Sequence, residues 1–147
     1  MFNFNEVDAN QFRPLPAEVY KVIVDDVNYQ ETRSGTGEYI KVKYIVQDGD
    51  YKDRVIFQNF NVKNDNEKAV QIGLAQLKGF LIAVGYGPET LGEVTRHGLL
   101  EMMDQKEVMV KLKIKSDPNF GDRNEVTKHI PLNAPTIKED PQQDIPF

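Results

Sequence analysis

The sequence predicts a mainly β domain of five strands, with a long helix between the third and the fourth, followed by an acidic tail. Three observations carry this reading. Segments 38–47 and 107–116 alternate apolar and polar side chains, the period of a strand with one face buried. Segment 70–84 spaces its apolar residues by three and four, the period of an amphipathic helix. From residue 133 the chain has no period, few apolar residues and three prolines, Pro135, Pro141 and Pro146. The expected organisation is therefore a domain over 1–132 and a disordered tail over 133–147.

The elements follow in chain order. Residues 1–17 read as an arm lying on the domain, with Phe2, Phe4 and Phe12 as anchors and Pro14 and Pro16 as breakers. Val19 to Tyr29 is rich in β-branched and aromatic residues and reads as the first strand. Arg33-Ser34-Gly35-Thr36-Gly37 is a turn, whose glycines tolerate positive φ. In the second strand, Glu38 to Gln47, the residues Ile40, Val42, Tyr44 and Val46 share one face, and Tyr39, Lys41, Lys43 and Ile45 share the other. Asp48-Gly49-Asp50 turns the chain into a third strand, Tyr51 to Val62.

Asn64 stands three residues before Glu67, an Asx form of the capping box, and starts the helix. Its apolar face is Val70, Leu74, Leu77, Leu81 and Val84, and Gly85 follows where a helix ends in the left-handed conformation. A shorter helix is expected around Leu99 to Asp104. Glu107 to Ser116 is the fourth strand, with Val108, Val110, Leu112 and Ile114 on one face and Lys111, Lys113 and Lys115 on the other. After the turn Asp117 to Asp122, Arg123 to Pro131 is the fifth strand. Five strands with a helix between the third and fourth is the layout of the oligonucleotide-binding (OB) barrel. An open α+β sheet with one helix packed on it has the same order, so order alone does not separate the two.

Composition excludes several function classes. With 147 residues the chain can bury a core without staples, and the absence of cysteine rules out disulfides, thiolate zinc sites and a cysteine nucleophile. No apolar run approaches the roughly 20 residues of a membrane helix, and the N-terminal residues lack the pattern of a signal peptide. A reducing cytoplasm and no membrane partner are expected. The two histidines, His97 and His129, are far apart and in no metal-ligand spacing, and the acidic residues form no paired motif. Gly35-Thr36-Gly37 lacks the third glycine of a dinucleotide fingerprint and joins two strands. Gly85-Tyr86-Gly87-Pro88 reads as a helix exit. No enzyme, metal or cofactor is expected.

Binding chemistry is better represented. The net charge of −5 argues against a nucleic-acid partner, but its distribution is uneven. Between Lys106 and Lys128 six basic residues face four acidic ones, while residues 138–147 carry −2. On the fourth strand Lys111, Lys113 and Lys115 stand in a row with a spacing of about 6–7 Å, similar to the phosphate repeat of a single strand. On the second, Lys41 and Lys43 share a face with Tyr39. An aromatic beside cations suits sequence-tolerant single-strand binding: a base stacks on the ring, for about 1–3 kcal/mol, while ammonium groups neutralise phosphates. Phe57 and Phe60 lie three apart on the third strand and so face opposite sides; Phe57 is taken as the exposed one. Phe120, in the last turn, and Arg123 complete the candidate surface. The competing reading is that these lysines solubilise exposed strand faces and blunt edges.

The tail is the sharper signal. An Ile and a terminal Phe on an acidic string fit an apolar pocket with a basic clamp for the carboxylate on a partner protein. Fully extended, 15 residues reach roughly 50 Å. The ending Asp144-Ile145-Pro146-Phe147 resembles the terminal peptide of bacterial single-stranded DNA-binding proteins, whose tails recruit replication and repair enzymes. A chance match at four positions is on the order of one in 10⁵.

The body carries Phe12-Arg13-Pro14-Leu15-Pro16-Ala17-Glu18-Val19-Tyr20, the stretch Tyr29 to Gly37, Arg54-Val55-Ile56-Phe57 and Leu77-Lys78-Gly79-Phe80-Leu81. In these segments, their order and their spacing it is similar to a bacteriophage family, catalogued as a domain of unknown function, that includes phage single-stranded DNA-binding proteins with OB folds. The resemblance implies a protein that coats single-stranded DNA in phage replication, recombination or repair within the host cytoplasm and recruits partners through its tail; whether it is a monomer or a homo-oligomer stays open at the level of sequence. An adaptor that borrows the tail peptide without binding nucleic acid, and an RNA chaperone, are the alternatives.

Overall fold

A computed structural model describes residues 14–119 and 121–132. Five strands, β1 (Val19–Glu31), β2 (Glu38–Val46), β3 (Val55–Lys63), β4 (Glu107–Asp117) and β5 (Gly121–Ile130), form one antiparallel sheet in the order β3-β2-β1-β4-β5. Helix α1 (Glu67–Ala83) follows β3, and after a short 3-10 turn helix α2 (Arg96–Met103) leads into β4. No helix among the described residues is long and apolar enough to cross a membrane. The arm before residue 14, Phe120 and the tail from residue 133 lie outside the described residues, so the expectations placed on them are not addressed by the fold.

The alternation read from the sequence builds the sheet's inner face. Val22, Val24, Ile40, Val42, Tyr44, Val46, Ile56, Phe60, Val108, Val110 and Leu112 are buried in one core. Ile114, expected among them, is exposed: β4 runs past the core at its far end. Helix α1 presents Leu77, Phe80 and Leu81 to the core and leaves Leu74 exposed, so its buried face is rotated from the expected one toward Phe80. Its N-cap is Asn66, whose side chain accepts hydrogen bonds from Lys68 and Ala69 N–H, while Asn64 caps the turn before it. At the other end Gly85 adopts φ +111°, and the Gly85 and Tyr86 N–H groups donate to Ile82 and Leu81 carbonyls, closing the helix. The third strand starts later than expected, because Gly49 and Asp53 take positive φ and keep Tyr51 to Asp53 in the turn.

The expected closed OB barrel is not formed; the sheet is open. Through their backbones β3 pairs only with β2 and β5 only with β4 among the described residues. The sheet curls enough to bring these edges face to face, but side chains fill the space between them. His129 of β5 lies 3.0 Å from the Gln58 Oε1 of β3, and the Tyr44 hydroxyl of β2 contacts both, at 2.6 Å to Gln58 and 3.2 Å to His129. Phe60 stacks on the His129 ring and Phe80 of α1 meets it edge-on. A backbone ladder needs strands about 4.8 Å apart, and a gap holding an imidazole and a phenol is wider than that. Helix α1 braces the two edges by packing on both β3 and β5.

Candidate nucleic-acid interface

The outer face of β2 and β3 is set by the same alternation that fills the core. With Ile40, Val42, Tyr44 and Val46 inward, Tyr39, Lys41 and Lys43 point outward and are half-buried. Lys43 lies opposite Phe57 of β3, and Lys41 opposite Asn59. The Lys41 ammonium therefore reaches Phe57 diagonally and sits 5.1 Å from its ring centroid. Phe57 is 55% exposed, whereas Phe60 is fully buried. Lys43 is ion-paired with Asp25 at 3.4 Å, and the Tyr39 hydroxyl donates to Gln30 at 2.8 Å.

On β4 and β5 the register decides which cations are free for a ligand. Lys113 faces Glu125 and is ion-paired with it at 3.6 Å. Lys115 instead faces Arg123, and Lys111 faces Lys128. Like charges directly opposed across a ladder repel, and a bound anion between them relieves the repulsion. Lys111 and Lys115 have no ion pair among the described residues.

The open edges of the sheet bring part of this set together. A groove of about 1020 Å³ runs between β3 and β5, and Phe57, Lys115 and Arg123 line it. Arg54 and Ile72 line it too, with the acidic Asp53, Asp122 and Glu125. Its walls are thus charge-balanced overall, with the cationic pair Lys115–Arg123 on one wall and the Phe57 ring on the other. Lys41 joins this site through its contact with Phe57. Tyr39, Lys43, Lys111 and Lys113 line other parts of the outer surface. Phe120, Asp144, Ile145, Pro146 and Phe147 lie outside the described residues.

Sequence reasoning missed Arg54 and Ile72. Ile72 carried a signal: it is apolar yet off the helical stripe through Leu77 and Leu81, and it is half exposed. A second missed cluster ties α2 to the end of the β1–β2 hairpin. The Arg96 guanidinium lies 3.8 Å from the Tyr29 ring centroid and 3.5 Å from Glu38, and Lys63 approaches Glu38 at 3.7 Å. The Tyr29 hydroxyl donates to Glu38 and, with Lys63 and Arg96 adding to it, holds that carboxyl below its ordinary range. These cations are already matched by a carboxylate, so the cluster reads as a brace. Among the described residues no three His, Asp or Glu side chains gather as metal ligands would.

A family model described as a protein of unknown function (DUF669) matches residues 2–142. No curated protein matches the chain.

Proposed function

The chain belongs to the DUF669 family, and we propose that it binds single-stranded DNA across the outer face of β3 and the groove between β3 and β5. The observation that supports this best is the exposed Phe57 ring, with the Lys41 ammonium 5.1 Å from its centroid, in a groove that also holds Lys115 and Arg123. A base stacks on Phe57 while adjacent phosphates meet the cations, a combination that tolerates any sequence. The tail ending Asp144-Ile145-Pro146-Phe147 recruits replication or repair proteins, and the setting is phage DNA metabolism in the host cytoplasm.

Fluorescence anisotropy with labelled oligo-dT, beside a duplex of equal length, tests this. Dissociation constants in the nanomolar-to-micromolar range for the single strand, weak duplex binding and affinity falling with salt are expected. Equal affinity for both forms would reject single-strand binding.

A second reading draws on the charge balance of the groove and the net −5: an adaptor that holds partner proteins and no nucleic acid. Absence of oligonucleotide binding at low salt favours it. Preference for RNA over DNA of the same sequence would move the assignment to an RNA chaperone.

A further inference from the structure

The groove between β3 and β5 has open strand edges on both sides, and the chain itself leads into it. Followed backwards from β1, the backbone crosses the sheet strand by strand. Val19 pairs with Lys111 of β4, and the Glu18 carbonyl accepts from the Leu112 N–H of the same strand. Leu15 is then held by Asn124 of β5: its N–H donates to the Asn124 Oδ1 at 2.8 Å, and its carbonyl accepts from Nδ2 at 2.9 Å. That side chain bonds Leu15 as a neighbouring strand would. Leu15 is buried, and the next residue, Pro14, is in the wall of the groove. The path β1, β4, β5, groove points at the gap.

From these observations we infer that the groove is the docking site of the chain's own N-terminal arm, residues 1–13, laid along the open β3 and β5 edges as an extended segment. The arm fits in length. The exposed part of the β3 edge, Val55 to Asn59, spans about 17 Å, and 13 extended residues reach about 45 Å. It also fits in chemistry. In an extended chain Phe2, Phe4, Glu6, Asp8 and Phe12 fall on one side. Those aromatics match the exposed Phe57 and Ile72, and the two carboxylates match Lys115 and Arg123. Because the walls are charge-balanced overall, with Asp53, Asp122 and Glu125 beside Arg54, Lys115 and Arg123, the electrostatic match is local to these pairs and not to the arm's net charge of −1. An added strand also satisfies edge N–H and C=O groups that have no ladder among the described residues. The inference does not depend on the groove binding nucleic acid.

Amide hydrogen exchange of the full chain and of a variant lacking residues 1–12, without oligonucleotide, tests it. Exchange about tenfold faster or more at residues 55–59 and 122–126, with α2 and the β1–β2 hairpin unchanged, is expected. Equal exchange in the two proteins overturns the inference. If the deletion speeds exchange everywhere, the full-length Phe12→Ser variant decides by the same readout. Protection of 55–59 that rises with protein concentration in the full chain assigns the groove to a second copy and also overturns it.

Discussion

Phe57 and Phe60 lie three residues apart on β3 and have opposite surroundings. Phe60 packs edge-on against Phe80 and stacks on His129, so Phe60→Ser should cost about 3–5 kcal/mol of stability. Phe57 is more than half exposed, with the Lys41 ammonium over its ring, so Phe57→Ser should change the denaturant midpoint far less. The same change should weaken oligo-dT binding by about tenfold, the loss of one stacked base. Stability and anisotropy measured on the same preparation separate the two roles; an unchanged affinity would remove Phe57 from the interface.

His129 carries a second consequence at this scale. Burial pushes its imidazole down to about 4 from an ordinary 6.5. The neutral ring with its proton on Nε2 donates to Gln58 Oε1, which also accepts from the Tyr44 hydroxyl. Because the folded pKa is depressed, the unfolded chain takes up the proton first as pH falls. His129 therefore has no effect above about pH 6.5, and stability is lost between pH 6.5 and about 4, by a few kcal/mol. Glu38, also depressed, adds its loss only below its ordinary carboxylate range. Urea midpoints should thus fall from pH 6.5 to 5 in the wild type. In His129→Gln they should stay flat over that interval, starting from a lower value. A wild-type midpoint that does not move would show that the ring is not held neutral.

At the scale of elements, α1 depends on one close approach. A Cβ at Gly73 would stand 2.1 Å from the Asn61 carbonyl oxygen of β3, and a backbone atom cannot give way as a side-chain tip can. Gly73→Ala should therefore lift the helix from β3 and cost about 1–3 kcal/mol despite alanine's better helix propensity. Gly79→Ala on the same helix meets nothing within 4 Å and should be neutral or stabilising, so thermal melts of the pair isolate the contact.

Gly73 also shows where the sequence stops being legible. Strand alternation and helical spacing are local, so the strands, the helix between β3 and β4, and the exposure of Phe57 could be read from them. The rotation of α1 toward Phe80 is decided by how closely Gly73 lets the helix approach β3, and no local pattern encodes that. Likewise, closure of the sheet turns on Tyr44, Gln58 and His129, three residues far apart in sequence that meet only in the fold. The cation rows were legible, but their pairing was not. Ladder register matches Lys113 with Glu125 and leaves Lys115 opposite Arg123, and the bulge between Lys111 and Leu112 shifts that register.

For the whole molecule, charge and connectivity act on the same groove. Residues 1–13 carry −1 and residues 133–147 carry −2, so residues 14–132 hold only −2 of the total −5. Both flanks should oppose binding of an anionic strand, by different physics. The tail acts through its charge, which salt screens over about 10 Å at 0.1 M. Deleting residues 133–147 should therefore tighten oligo-dT binding about threefold or more at low salt, with the gain vanishing as salt rises toward 0.5 M. It should also abolish capture of partner proteins, because Ile145 and Phe147 leave with it. An arm docked in the groove, as inferred above, would act by occupying it, which salt does not relieve. Deleting residues 1–12 should tighten binding at every salt concentration by the cost of displacing the arm, and leave partner capture intact. Anisotropy titrations of the two truncations from 50 mM to 0.5 M salt distinguish these mechanisms. If the arm deletion loses its effect at high salt as the tail deletion does, the arm acts only as another negative charge. If neither deletion changes affinity, the strand binds away from the groove, on the outer face around Tyr39, Lys43 and Lys111.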